Sequence, residues 1–450
     1  MQVILPDDAL LVVLSKLQTA DLCSAACVCR QWRRVCTSTK ELWTQLNLHA
    51  APSQITDSQV LALVARAQGE LRSLTFTSEE VTDSRALHRV SEATLAAIVD
   101  ASPELTWLTG FTTLNEAGAA TALGLESPAE AFRILTRPNA AQVYTPRALT
   151  RACLCLQLHG ISTTSEVSPE FAAQVLSLME TLASDRRFLA AALHALCMCY
   201  AKIHPQPADG TVRALWMRAC NALTVFLDDE PVVVTSLKFG SLISTRIVSS
   251  RSATCFHAVV AAMRAHASSA PVQEYGCRAF TRMIHNNADN SIKAVSAGAV
   301  ECVVAAMRAH PSHADVQHYC CWALLNMTAN ADNQVKAGSA GAIEAVVAAM
   351  RAHASNADVQ HHGCLALRNM TVNADNQAKA GSAGATQAVV AAMFAHPSNA
   401  DVQHGGCGEL SNLIASNADN SMKAGSAGAV ECVAAAMRAH VGHAGVQEWG

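Results

Sequence analysis

The sequence predicts a mainly α-helical protein whose C-terminal part is a solenoid of repeated helical units. Two observations carry that prediction. Val-Gln recurs at Val272, Val316, Val359, Val402 and Val446, and the methionine of Ala-Ala-Met at Met263, Met307, Met350, Met393 and Met437, both in steps of 43 or 44 residues. A period near 43 is that of solenoids with two or three helices per unit. Aromatic residues make up only 4% of the chain while alanine is abundant, a composition suited to closely packed helices.

Residues 1–48 come first and read as two or three short helices. Leu10, Leu14 and Leu17 form one apolar stripe, Leu22, Ala25, Ala26 and Cys29 a second, and Trp32 and Trp43 supply bulk. So small a module stabilises itself poorly, so a partner is expected to cover its apolar face. The motifs here are Leu5-Pro6, the spaced leucines, Val28-Cys29-Arg30-Gln31-Trp32 and the closing Leu42-Trp43. In order and spacing they resemble the F-box, with Ala9 standing where a larger aliphatic is usual. The resemblance implies docking on the Skp-family adaptor of cullin-RING ubiquitin ligases through Leu5, Pro6, Leu10, Leu14, Val28 and Trp32.

Residues 49–118 follow, with "GELRSLTF" (69–76) and "PELTWLTGF" (103–111) each setting leucines before a strand end and helical stretches between them. This reads as one or two irregular leucine-rich units. Residues 119–250 read as degenerate helical repeats, with "FLAAALHALCMCYAKI" (188–203) and "VRALWMRACNALTVFL" (212–227) as third-helix equivalents. Turn-rich stretches near 127–146, 161–169 and 204–211 break the helices.

Residues 251–450 carry the clear copies, each parsing into three helices. In one copy the short first helix starts at an N-cap, Asp332 or Asn333, and turns into the second through Gly338 and Gly341. The second spans 343–353, with Ile343, Val346, Val347 and Met350 on one face. The third begins after an Asp N-cap (Asp315, Asp358, Asp401), with Pro271 in the first copy. Its core face is Val316, Cys320, Ala323, Leu324 and Met327, repeated as Val359, Gly363, Ala366, Leu367 and Met370. These residues resemble the armadillo repeat. The last copy stops as its third helix begins, from which a longer native protein is expected.

A second face of the third helix changes from copy to copy. It reads Tyr275/Arg278/Arg282, then Tyr319/Trp322/Asn326, then His362/Leu365/Asn369, then Gly405/Gly408/Asn412. Armadillo solenoids present their third helices along an inner groove, so the resemblance implies that a protein substrate is read here. Trp322 and Asn326 are similar to the Trp-x-x-x-Asn pair of peptide-binding members, in which the amide bonds an extended backbone. The competing reading of Asn326 is a helix–helix hydrogen bond. Only one copy has both residues, which argues against an import receptor.

A net charge of −4 points to neither nucleic acid nor an anionic membrane surface. No apolar run is long enough to span a membrane. Asp7 and Asp8 and the absence of a basic n-region argue against a signal peptide. The 17 cysteines include mid-helix Cys277, Cys321, Cys364 and Cys407, which read as small buried hydrophobes of a reducing compartment, cytoplasmic or nuclear. Cysteine pairs such as Cys27/Cys29, Cys153/Cys155 and Cys197/Cys199 are spaced poorly for zinc, "AGSAGA" lacks a P-loop lysine, and the repeated histidines read as solvated, so neither cofactor nor metal is expected. The expectation is a non-enzymatic substrate-recognition subunit of a Skp-cullin-F-box ligase, in an order of modules similar to the Arabidillo-type plant proteins. The rival is an armadillo scaffold without a ligase role.

Overall fold

Capping residues at fixed positions decide where each copy turns, and the copies therefore fold alike. The computed structural model describes residues 253–450 apart from Ser416, most of 123–242 and, between 45 and 113, separate strands and helices. Two compact units result, Met1–Leu215 and Trp216–Gly450.

In the first unit, strands β1 (Gln45–Asn47), β2 (Ser73–Thr75) and β4 (Trp107–Thr109) form a parallel sheet, with Leu46, Leu74 and Leu108 in register. β3 (His88–Val90) pairs in parallel with β5 (Phe111–Thr113). Helices α1 (Asp57–Arg66) and α2 (Glu92–Ala101) lie between strands in sequence and pack together. Thus "SLT" and "WLT" of the two leucine motifs are short parallel strands. Five helices follow: α3 (Pro128–Thr136), α4 (Ala140–Val143), α5 (Pro146–His159), α6 (Pro169–Thr181) and α7 (Arg186–Cys199). Their core includes Leu149, Cys153, Phe171, Phe188 and Leu193, each shut off from water. Asp185 caps α7, its carboxylate accepting from the Phe188 amide.

The second unit is an armadillo-type array. Helix α8 (Asp209–Val225), which belongs to this unit from Trp216 on, is followed by α9 (Glu230–Leu242), α10 (Ala253–Ala265) and α11 (Ala270–Ile284). Three full copies then run α12 (Ala288–Ser296), α13 (Ala299–Ala309), α14 (Ala314–Met327); α15 (Ala331–Ala340), α16 (Ala342–Ala352), α17 (Ala357–Met370); and α18 (Ala374–Ala383), α19 (Ala385–Ala395), α20 (Ala400–Ile414). The last is α21 (Ala418–Ser426), α22 (Ala429–Ala439) and α23 (Ala444–Trp449). Third helices stack in the order α9, α11, α14, α17, α20, α23.

This order corrects the reading of 212–227 as a third helix. α9 holds the third-helix place beside α11, and α8 holds the second-helix place. The histidine ending each second helix shows why: His310 Nε2 meets Ala267 O at 2.8 Å, and His266 Nε2 meets Leu227 O, just past α8, at 2.7 Å.

The predicted caps shift by two residues. Third helices are capped by Ser269, His313, Asn356, Asn399 and His443, whose side chains accept from the amide three residues on. Asp315, Asp358 and Asp401 sit inside the first turn, where their charge complements the helix dipole. Short helices are capped by Asn287, Asn330, Asn373 and Asn417, not by Asp332 or Asn333. Asn333 is instead buried, and its amide donates to Met327 O at 2.8 Å. Only Gly341 of the two predicted turn glycines makes the turn, at φ +81°. Gly338 lies within α15, where a Cβ would collide with the Asn376 side chain.

The Val-Gln register mark also has a structural cause. The valine is core. The glutamine amide reaches two carbonyls at the end of the second helix: Gln317 Nε2 to Met307 O at 2.9 Å and His310 O at 2.8 Å. Gln273, Gln360, Gln403 and Gln447 repeat the clamp. It satisfies carbonyls that every helix end leaves open.

Candidate functional site

On α14 the residues Val316, Cys320, Ala323, Leu324 and Met327 are fully buried, and α17 buries their equivalents. That fixes the helix rotation and leaves Tyr319, Trp322 and Asn326 half-buried along the shared third-helix face. His362, Leu365, Asn369 and Asn412 are half-buried on the same face, while Arg282 is exposed. Tyr275 is buried, only 8% exposed.

Aromatic rings join across α14 and α17. Tyr319 stacks on His318 with centroids 4.4 Å apart, His318 lies 4.7 Å from His362, and Trp322 lies 4.8 Å from His362. Trp322 is nearly parallel to His318, at 12°. The Arg278 guanidinium covers one end, 4.8 Å above the Tyr319 ring, while its Nη1 donates to Glu274 Oε1 at 3.2 Å. Arg278 and the Lys238 ammonium both lie within 5.5 Å of the Tyr275 ring centroid, which accounts for the burial of that tyrosine.

The asparagines are tied to the preceding third helix. Asn326 Nδ2 donates to Thr281 O at 3.3 Å, Asn369 to Leu325 O at 3.0 Å and Asn412 to Arg368 O at 2.8 Å. The helix–helix bond weighed for Asn326 is therefore present in three successive copies.

Gly405 and Gly408 do not leave the face bare. Both are buried, and a Cβ on Gly408 would crowd the Arg368 side chain. Arg368 crosses that gap and places its guanidinium 4.2 Å above the Trp449 ring. The small residues make room for a cation–π contact between α17 and α23.

Burial sets the charge state of the ladder. It lowers the His318 pKa against the raising effect of Asp358 and Asp315, with Arg278 and His361 lowering it further. His362 is pulled from the ordinary 6.5 down to about 4, again chiefly by burial, although its Nδ1 lies 3.0 Å from Asp358 O. Burial outweighs the Arg278 cation at Glu274 and leaves that carboxyl above its usual range. The result near neutral pH is an uncharged histidine–aromatic strip with an arginine at one end.

Arg368, Lys238 and Trp449 were not singled out by the sequence, and the reading of the repeated histidines as solvated fails at His318, His361 and His362, which are half-buried within their helices. His318 belongs to a column directly after each Val-Gln that reads Glu274, His318, His361, His404 and Glu448. Three successive histidines at one helical register beside the stripe were the available signal. The adaptor-binding expectation for Leu5, Pro6, Leu10, Leu14, Val28 and Trp32 falls outside the described residues. Among the described residues no cluster of three metal-ligating side chains occurs, and no helix is long and apolar enough to cross a membrane.

The profile of the LRRK2 ARM repeat family matches residues 170–449, well over half of the chain. The chain belongs to this family. An F-box-like profile matches residues 3–49 ahead of the ARM repeats. Both families are adaptor or protein-binding modules. No curated protein matches the ARM repeat chain in sequence. Among solved structures it is similar to an engineered protein at 16% identity and TM-score 0.54, covering 99% of this chain and 97% of that one. It is also similar to a chain from work on a conserved phosphorylation switch controlling the interaction between cadherin and β-catenin. That likeness is at 14% identity and TM-score 0.51, covering 98% and 95%. Identities this low show the shared ARM solenoid fold.

Proposed function

We propose that this protein is the substrate-recognition subunit of a cullin-RING ubiquitin ligase. The F-box-like segment holds a Skp-family adaptor, and the third-helix face of the ARM array holds the protein substrate. The observation that carries this reading is the joining of an F-box-like module to an array whose core is constant while one face varies, with Tyr319, Trp322, His318 and His362 gathered on it. Half-buried aromatics in a rigid setting are the chemistry enriched at binding hot spots. Tyr275 and Arg278 contribute by bracing the end of the strip, Arg282 by its exposed charge.

The test uses the full chain. Co-purification with a Skp-family adaptor is expected, and Leu10→Ala with Leu14→Ala, each removing about 2–5 kcal/mol of packing, abolishes it. Substrates are expected to accumulate on the wild type under proteasome inhibition and to be lost with Trp322→Ala, which retains the adaptor. Adaptor binding unchanged in the leucine double variant sinks the ligase reading. The scaffold reading then gains if Trp322-dependent partners persist without any adaptor.

A further inference from the structure

One core position of α14 departs from the pattern of the other copies. Four residues after the valine of Val-Gln, four of the five copies carry glycine: Gly276, Gly363, Gly406 and Gly450. Each leaves room for the second-helix methionine, Met263, Met350, Met393 or Met437, on which a Cβ would collide. In α14 the same position is Cys320. Its Sγ lies 3.4 Å from Cys277 Sγ on α11, the mid-helix cysteine that the copies share. Both side chains are fully buried. The neighbouring Cys321 is fully buried as well and is the α14 counterpart of Cys277 in the shared column.

We propose that Cys277 and Cys320 are a reversible oxidation site, forming a disulfide between adjacent third helices when the protein meets a small neutral peroxide. The sulfurs already touch, and a bond requires closing to about 2.05 Å, a change of roughly 1.4 Å within reach of a rotamer adjustment. Peroxide oxidises one thiol to a sulfenic acid: its O–O bond breaks, sulfur gains the hydroxyl and one water leaves. The second thiol attacks that sulfur, the S–S bond forms, the S–O bond breaks and a second water carries off the hydroxyl. Two thiols lose two electrons in all, and the peroxide is reduced to two waters. A dithiol returns the pair to its starting state by exchange. Burial keeps the Cys320 thiol protonated, so reaction waits on local opening and on an oxidant small enough to enter. The site stands independently of the ligase reading. Its sulfurs lie one residue from Arg278 and Tyr319, the pair in contact at the end of the strip.

The test is non-reducing peptide mapping of the full chain, incubated with hydrogen peroxide for hours, then unfolded and alkylated. A single dominant cross-linked peptide joining Cys277 to Cys320, two hydrogens lighter than its parts and released by dithiothreitol, is expected. Cys320→Gly restores the residue that the other copies carry, so it folds, and it abolishes the species. Cys321→Ala leaves it at wild-type yield. Recovery of Cys277 and Cys320 as separately alkylated or over-oxidised residues overturns the proposal, as does equal cross-linking through Cys321.

Discussion

Two buried ionisable residues give the array opposite responses to pH. His362 titrates at about 4 in the folded chain instead of the ordinary 6.5, because burial disfavours its cation. Between those values the unfolded chain binds a proton that the folded chain refuses, so stability is lost as pH falls from about 6.5 towards about 4. The full effect is about 3 kcal/mol, and His362→Gln is expected to flatten denaturant melts taken at pH 7, 5.5 and 4. Glu409 works the other way. It occupies a position held by Ala279, Ala323 and Ala366 in the other copies and is fully buried. Thr371 Oγ1 donates to its Oε2 at 2.8 Å, while Oε1 has no hydrogen-bond partner. Burial raises its pKa well above the usual range against the Arg368 charge. The folded chain then holds a proton that the unfolded chain releases, and stability is lost as pH rises above about 4.5. Glu409→Ala is expected to stabilise the protein by about 1–3 kcal/mol near neutral pH, Thr371 turning back to a backbone carbonyl as Thr328 does to Leu324 O at 2.8 Å. A lower melting temperature in this variant counts against it.

At the scale of the element, the glutamine clamp ties the second helix of each copy to its third. Gln317→Ala strands the buried carbonyl of Met307 and the part-buried carbonyl of His310, for an expected loss of about 2–4 kcal/mol. Gln317→Glu is worse, since a carboxylate accepts and cannot donate. Thermal melts of the pair, set beside the exposed control Val335→Ala, give the ranking. Hydrophobic period and repeat length made the helices themselves legible in the sequence. Cap positions were not, because Asn330, Asp332 and Asn333 are all good capping types and only the fold says which one meets the helix end. His313 as a cap was hidden further: its Nδ1 accepts from the Val316 amide at 3.3 Å, a role that only an unprotonated ring nitrogen can fill. The second-helix identity of α8 was equally invisible, since an alternating apolar pattern does not say which row a helix joins.

For the whole molecule, the candidate face was legible as a place and less so as a set of contacts. Comparing copies exposed the stripe, because core positions repeat and surface positions drift. It could not show that the asparagines spend their amides on the neighbouring helix, that Tyr275 is covered by two cations, or that two glycines mark where Arg368 crosses. Those depend on distances between copies. Many of the junction bonds follow one rule: asparagine, histidine and lysine side chains reach back to main-chain carbonyls, as Asn369 does to Leu325 O, His353 to Pro311 O and Lys379 to Gly338 O. A carbonyl is the same whichever residue bears it. Joinery of this kind never inspects the neighbour's identity, so whole copies are interchangeable parts. Excising residues 316–358 splices Asp315 directly to Val359 and brings together two junction halves that already fit. The shortened chain is expected to fold, with helical circular dichroism and a single cooperative melt, while losing Tyr319, Trp322 and Asn326 at one stroke. Such an array can lengthen, shorten or shuffle its recognition surface by recombination between copies without reinventing the seams.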